Sequence, residues 1–303
     1  MGIIKRGDFL GAFYSLPLSE RDRHLLAVSA FQHVMVTFDH GMADLPWLHA
    51  NGYGVAIRIG EHNYNTPAAR QHVSDTMHVL KDRPERSCIE MDIIGCEPEG
   101  HLDMTWGSKT GWGNEIKGED GRTDLERHLD NFAMMRAMLA VDGYPTCSPG
   151  YLCRDQDMRF GPPPYHGPQP GVVRWKQHTL EEYGKAIYSG EHVYLFDGTP
   201  YDIEQRGERM LNRAIAFAQN EIIIDEIGLG GTDRSTKEES MQTCLDLAEM
   251  ARHIPRVVRA YTFVQNGTPI DDNGNEQWPP HQLMDSEVCY NMATRWLSEA
   301  GVD

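Results

Sequence analysis

The sequence predicts an α/β protein built as one (β/α)8 barrel over residues 1–303, with long loops on its C-terminal face. Three observations predict it. Short apolar runs alternate with amphipathic helical patterns along the whole chain, an order that implies parallel strands with helical crossovers. There are eight such runs, which points to closure rather than an open sheet. The glycine-rich fingerprint that follows the first strand of a dinucleotide-binding open sheet is missing.

In chain order the predicted strands are 9–15, 33–38, 54–59, 87–95, a weak one at 141–147, 192–196, 221–227 and 257–264. The helical pattern at 66–81 opens on Thr66-Pro67, a cap followed by proline in the first turn. The pattern at 124–140 puts Leu125, His128, Leu129, Phe132 and Met135 to Met138 on one face. Residues 201–219 and 236–253 repeat it, and 286–300 close the chain. Three connections are long: 101–123, 148–175 and 265–282. Each follows a strand, so each lies at the end where barrel enzymes carry their chemistry, and loops of this length in a compact domain usually serve function.

Composition narrows the partners. With 28 Lys and Arg against 45 Asp and Glu, the formal charge is −17. No basic run appears, which argues against nucleic acid and against anionic membrane surfaces, while a neutral ligand such as an uncharged glycan is compatible. Six cysteines are too few for a disulfide scaffold, and only Cys147 and Cys153 are spaced to suggest a bridge. The N-terminus lacks the apolar core of a signal peptide, and no run is long enough to cross a bilayer. As it stands the chain reads as a soluble cytoplasmic protein, with export by another route left open. No cofactor motif is present, and nothing in the sequence speaks to oligomeric state.

Two glutamates carry the functional reading. Glu97 closes the fourth predicted strand in Ile93-Ile94-Gly95-Cys96-Glu97-Pro98, and Glu226 closes the seventh in Ile222-Ile223-Ile224-Asp225-Glu226-Ile227-Gly228. Each follows an apolar run, so each is expected at the barrel mouth. There partial desolvation and mutual repulsion separate one protonated acid from one ionised carboxylate, the pair that glycoside hydrolysis uses. Alternation does not decide whether Asp225 or Glu226 faces inward; a bulge would present both.

These motifs resemble those of the retaining β-glycosidases of clan A, glycoside hydrolase family 5 among them. There an Asn-Glu-Pro ending strand four supplies the acid/base and a Glu ending strand seven is the nucleophile. Cys96-Glu97-Pro98 and Asp225-Glu226-Ile227-Gly228 are similar to those two segments. The stretch from Trp47 through Asn51-Gly52-Tyr53-Gly54 to Arg58-Ile59 resembles the clan's helix, Gly-aromatic turn and Arg-bearing strand. The resemblance implies double displacement, with Glu97 protonating the leaving oxygen, Glu226 attacking the anomeric carbon, and Arg58 hydrogen-bonded to Glu226. Cys96 stands where the family has the Asn that contacts the sugar 2-hydroxyl. Phe263-Val264-Gln265 replaces the Trp expected at strand eight, leaving Trp278 as a substitute.

Further candidates for sugar contact are His62 and Asn63 past the third strand, and Tyr194 and Asp197 at the sixth. Trp106, Trp112, Trp175 and Trp278 lie in or beside the long loops, where tryptophan faces suit the apolar C–H surface of a sugar. Two rival readings remain. Asp39-His40, Glu61-His62 and Asp197 could ligate a divalent ion in a metal-dependent barrel hydrolase, although adjacent strand residues point opposite ways. Alternatively, the barrel binds carbohydrate without cleaving it, Cys96 marking a decayed site.

Overall fold

The computed structural model describes residues 5–95, 120–150, 152–154, 178, 181–183, 186–196, 220–230, 236–262 and 286–299. The strands are β1 (Leu10–Tyr14), β2 (His33–Thr37), β3 (Gly54–Ile59), β4 (Ile89–Ile94), β5 (Thr146–Cys147), β6 (Leu152–Arg154), β7 (Ser189–Phe196), β8 (Ile222–Gly230) and β9 (Val257–Thr262). They form one parallel sheet in the order β5-β4-β3-β2-β1-β9-β8-β7-β6. A further parallel bridge joins Cys147 of β5 to Tyr188, just ahead of β7, and so closes the ring. β5 and β6 are thus two pieces of the fifth barrel strand, and β7, β8 and β9 are the sixth, seventh and eighth. The protein is a (β/α)8 barrel.

The helices are α1 (Arg6–Phe9), α2 (Glu20–Val28), α3 (Phe38–Gly41), α4 (Leu45–Ala50), α5 (Pro67–Leu80), α6 (Asp124–Val141), α7 (Lys237–Arg252) and α8 (Glu287–Ser298). Their starts are written in the sequence. Thr66 accepts a hydrogen bond from the Ala69 amide with Pro67 in the first turn, and Thr123 and Thr236 each complete a reciprocal capping box with Glu126 and Glu239. On α6 the buried face is Leu125, His128, Phe132, Met135 and Leu139. The predicted strand at 141–147 shrinks to Thr146–Cys147: Val141 ends α6, and Gly143 (φ 74°) turns the chain back toward the barrel. The 201–219 helix lies outside the described residues.

Two apolar layers result from strand alternation. Val34, Val36, Val55, Ile57, Ile59, Ile222 and Ile224 face outward against the helices. Phe13, Met35, Ala56, Met91, Ile93, Cys147, Ile223 and Tyr261 pack inside the barrel. Each fully buried large side chain contributes about 1.5–3 kcal/mol by leaving water. Close packing across the interior fixes Gly11, whose β-carbon would lie 2.6 Å from the Tyr261 ring on the neighbouring strand and 2.9 Å from the His33 carbonyl.

Alternation breaks at three bulges. One extra residue on β4, between Ile89 and Met91, places Glu90 near the floor of the barrel. A register shift between β8 and β9 at Ile222/Ile223 leaves Val258 as the extra residue, and Arg259 faces the same floor by alternation with Tyr261. Arg259 donates to Glu90, which also lies 3.1 Å from Nδ1 of His33. Burial pushes the Glu90 carboxyl up, but His33 and Arg259 outweigh it, so its pKa is lowered from the ordinary value. The third bulge, on β8, builds the site described below.

Asp92 is the exception to this pairing of buried charge. Its neighbours Met91 and Ile93 face the interior, so its carboxyl points out beneath the helical layer, fully buried. Neither of its oxygens has a hydrogen-bond partner among the described residues. Burial drives its pKa well above 3.8 against a weaker opposing effect of Arg86.

Two predictions follow from this packing. Gly11→Ala is expected to lower stability by about 1–3 kcal/mol, the usual cost of overpacking, read from the denaturant midpoint. Because Asp92 binds its proton more tightly folded than unfolded, its stabilising contribution is complete below the unfolded value of 3.8 and is lost as pH rises above it. Asp92→Asn removes that loss. The variant should therefore be more stable than wild type at pH 7, with the difference vanishing near pH 3.5, measured by urea denaturation at both.

Candidate active site

The third bulge lies in the C-terminal half of β8. Ile224 pairs with Glu191 and Glu226 with His192, leaving Asp225 as one extra residue. On the other side Ile224 pairs with Ala260 and Ile227 with Thr262, again one residue more on β8. A bulge of this kind re-aims side chains that strict alternation would send to opposite faces. It brings both Asp225 and Glu226 onto the guanidinium of Arg58, which reaches them from β3 on the far side of the barrel.

Arg58 Nη1 donates to Glu226 Oε1, and Nη2 donates to Asp225 Oδ2 and to the Asp225 carbonyl, both at 3.0 Å. The guanidinium lies 4.4 Å over the ring of Phe13 on β1, so its π-face is occupied as well as its edges. His192, from β7, completes the group. Its Nε2 is 3.2 Å from Asp225 Oδ2 and its Nδ1 is 3.4 Å from Glu226 Oε2. All four residues are buried: Arg58 at 5%, Glu226 at 4%, His192 and Asp225 at 0% exposure.

Ser148-Pro149-Gly150, the turn between β5 and β6, packs against this group. A β-carbon on Gly150 would fall 2.1 Å from His192 Cδ2 and 2.3 Å from Asp225 Oδ1, so the backbone approaches the charged cluster without a side chain between. Cys147, at the end of β5, sits in the same interior. Burial pushes its thiol well up, reinforced by the charges of Asp225 and Glu191. It is a free thiol, so the Cys147–Cys153 bridge suggested by spacing does not form; the side chain is packed in the barrel interior instead.

At the rim above β2 and β3, a second group forms around Asp39. Asn63 Nδ2 donates to both its carboxylate oxygens, and His62 Nε2 lies 2.9 Å from Oδ2. The His62 hydrogen bond is the largest of the effects that lower the Asp39 pKa. His62 is largely exposed while Asn63 is buried. Among the described residues, no group of three or more His, Cys, Asp or Glu is placed to hold a metal ion. Nor is any helix among them long and apolar enough to cross a membrane.

Of the sequence candidates, the structure brings Arg58 and Glu226 together in one cluster and His62 and Asn63 together in another. Glu226 does not close its strand, since β8 runs on to Gly230. Glu97, Cys96, Trp106, Trp112, Trp175, Asp197 and Trp278 lie outside the described residues, and of Tyr194 only its place in β7 is described. Sequence reading missed His192, visible only as the polar start of a predicted strand. The strand starts three residues earlier, at Ser189, and the register break beside Glu191 brings His192 to Glu226.

No known protein-family model matches the chain, and no curated protein matches it in sequence. The likeness lies in the fold, the (β/α)8 barrel. Among solved structures, an endo-β-1,3-glucanase of glycoside hydrolase family 128, subgroup II, from Sorangium cellulosum superposes with a TM-score of 0.58 at 13% identity, over 97% of this chain and 100% of that one. The trimodular endo-β-1,4-glucanase B of Bacillus halodurans gives 0.59 at 12% identity, over 97% of this chain and 60% of that one. A subgroup I endo-β-1,3-glucanase from Amycolatopsis mediterranei, in complex with laminaripentaose, gives 0.53 at 13% identity over 95% and 100%.

Removing Arg58 leaves two carboxylates buried together without their cation. Arg58→Ala is therefore expected to cost about 3–5 kcal/mol of stability, and Arg58→Lys to recover only part of it because one ammonium cannot serve both carboxylates in a fork. Chemical denaturation of the two variants beside wild type measures both.

Proposed function

We propose that this protein is a glycoside hydrolase that cleaves a β-glycosidic bond in an oligo- or polysaccharide, with Glu97 as acid/base and Glu226 as nucleophile. The observation that carries the reading is the buried hydrogen bond from Arg58 to Glu226, made across the barrel in its C-terminal half. A nucleophilic carboxylate must be ionised and held in one orientation, and a guanidinium edge does both. Glu97 follows β4 by three residues in the sequence, which suits the second carboxyl of the pair. The similar structures, described as enzymes acting on β-1,3- and β-1,4-linked glucans, support the same class of substrate.

In this reading the chemistry is double displacement. Glu226 attacks the anomeric carbon as Glu97 gives its proton to the leaving oxygen; Glu97 then takes a proton from water, which releases the sugar. His62, Asn63, Cys96, Tyr194, Asp197 and the loop tryptophans Trp106, Trp112 and Trp278 are the residues assigned to sugar contact in this reading. Glu226→Gln and Glu97→Gln are each expected to lower kcat on the cleaved glucan by roughly a hundredfold or more. A panel of cyclophellitol epoxides and 2-fluoroglycosides, followed by peptide mass spectrometry, should label Glu226. Labelling elsewhere, or hydrolysis unchanged in Glu226→Gln, rules the assignment out. Glycan binding without cleavage by the wild-type protein would mean a non-catalytic binding barrel.

A further inference from the structure

Asp225, like His192 beside it, is a member of the buried cluster to which the proposed chemistry gives no part. It is fully buried, its Oδ2 faces both Arg58 and His192, and its Oδ1 has no hydrogen-bond partner among the described residues. A carboxylate this deep is costly unless it compensates charge around it. The ring of His192 lies between two carboxylates, Nε2 toward Asp225 at 3.2 Å and Nδ1 toward Glu226 at 3.4 Å. A neutral imidazole has one N–H and one lone pair. Either neutral tautomer would therefore aim its lone pair at an ionised carboxylate. With a proton on each nitrogen both contacts become favourable, and the cations Arg58 and His192 balance the anions Asp225 and Glu226 one for one. In a dry interior that balance decides the protonation state. Among the described residues, the other titratable groups nearby push the same way or are neutral: Glu191, next to His192, is another buried acid, and Cys147 is held as the thiol.

We propose that Asp225 is a positioning residue that keeps His192 doubly protonated, so that the Nδ1–H of His192 and the guanidinium of Arg58 together hold the Glu226 carboxylate in one orientation. Asp225 touches no reacting atom; it acts through the imidazolium. The bulge on β8 is what permits the arrangement, because without the extra residue Asp225 and Glu226 would face opposite sides of the strand.

The test has a spectroscopic arm and a kinetic arm, and only the second rests on the glycosidase reading. In ¹H–¹⁵N spectra of the whole protein at pH 7, with the His192 ring assigned through its own backbone, both ring nitrogens should be protonated. In Asp225→Asn, whose fold is checked by its thermal midpoint, one of them should lose its proton. The kinetic expectation for Asp225→Asn is a kcat lower by roughly tenfold to a hundredfold, the worth of one charge-assisted hydrogen bond, with KM little changed. The alkaline limb of its rate profile should move to lower pH, because His192 gives up its proton more easily without the carboxylate. A single protonated nitrogen in the wild-type ring overturns the proposal whatever the variant does. So does an Asp225→Asn spectrum in which His192 is unchanged. An imidazolium that depends on Asp225, in a protein that cleaves no glycan, upholds it and removes the glycosidase reading instead.

Discussion

The buried charges described in the C-terminal half of this barrel are arranged around the guanidinium of Arg58. A barrel interior is packed with side chains and closed to water, so a full charge inside it must be met by another. Arg58 reaches from β3 to β8 and is satisfied on its edges by Glu226 and Asp225 and on its face by Phe13. The carboxylates in turn bracket His192. The floor of the barrel solves the same problem separately, with Arg259, Glu90 and His33 forming their own balanced group. Between them lies the apolar layer of Met35, Ala56, Met91, Ile93 and Ile223. The interior is thus two charged clusters separated by an apolar layer, and each cluster must be complete for the other residues of its layer to tolerate burial.

The fold was legible in the sequence because parallel barrel strands announce themselves twice, as apolar runs and as gaps between capped helices. Thr66, Thr123, Thr236 and Ser286 cap their helices where the pattern placed the starts. The outward faces of β2, β3 and β8 followed from simple alternation. Glu226 stood out as an acid at the end of an apolar run, and Arg58 through the resemblance of its segment to an Arg-bearing barrel strand. What could not be read was register. Glu90 and the Asp225–Glu226 pair meet the interior at bulges, and a bulge is a property of two strands together, absent from either one alone. His192 was hidden by the same break, and Asp92 by the absence of any partner to predict.

The two groups of polar residues toward the mouth differ in character. The Arg58 cluster is buried and rigidly cross-linked, suited to holding a charge in one place. The Asp39 cluster is at the rim, with His62 largely in water and Asn63 tucked beneath. Its hydrogen bonds pin His62 and Asn63 to a common carboxylate from the preceding strand end, so a ligand that engaged one would feel the position of the other. The two groups thus differ in their exposure to water: the lower one is sealed, and the upper one is open at His62.

The fifth barrel strand has a consequence for how the molecule comes together. β5 pairs with β4 at only two positions and meets the sixth strand through Cys147 and Tyr188 before the chain turns at Ser148-Pro149-Gly150 and resumes as β6. Topologically the ring is a rolled ribbon latched at that joint. Gly150 rests on His192 and Asp225, so the joint and the charged cluster share one set of contacts. A substitution that widened the joint would therefore also disturb the cluster beneath it.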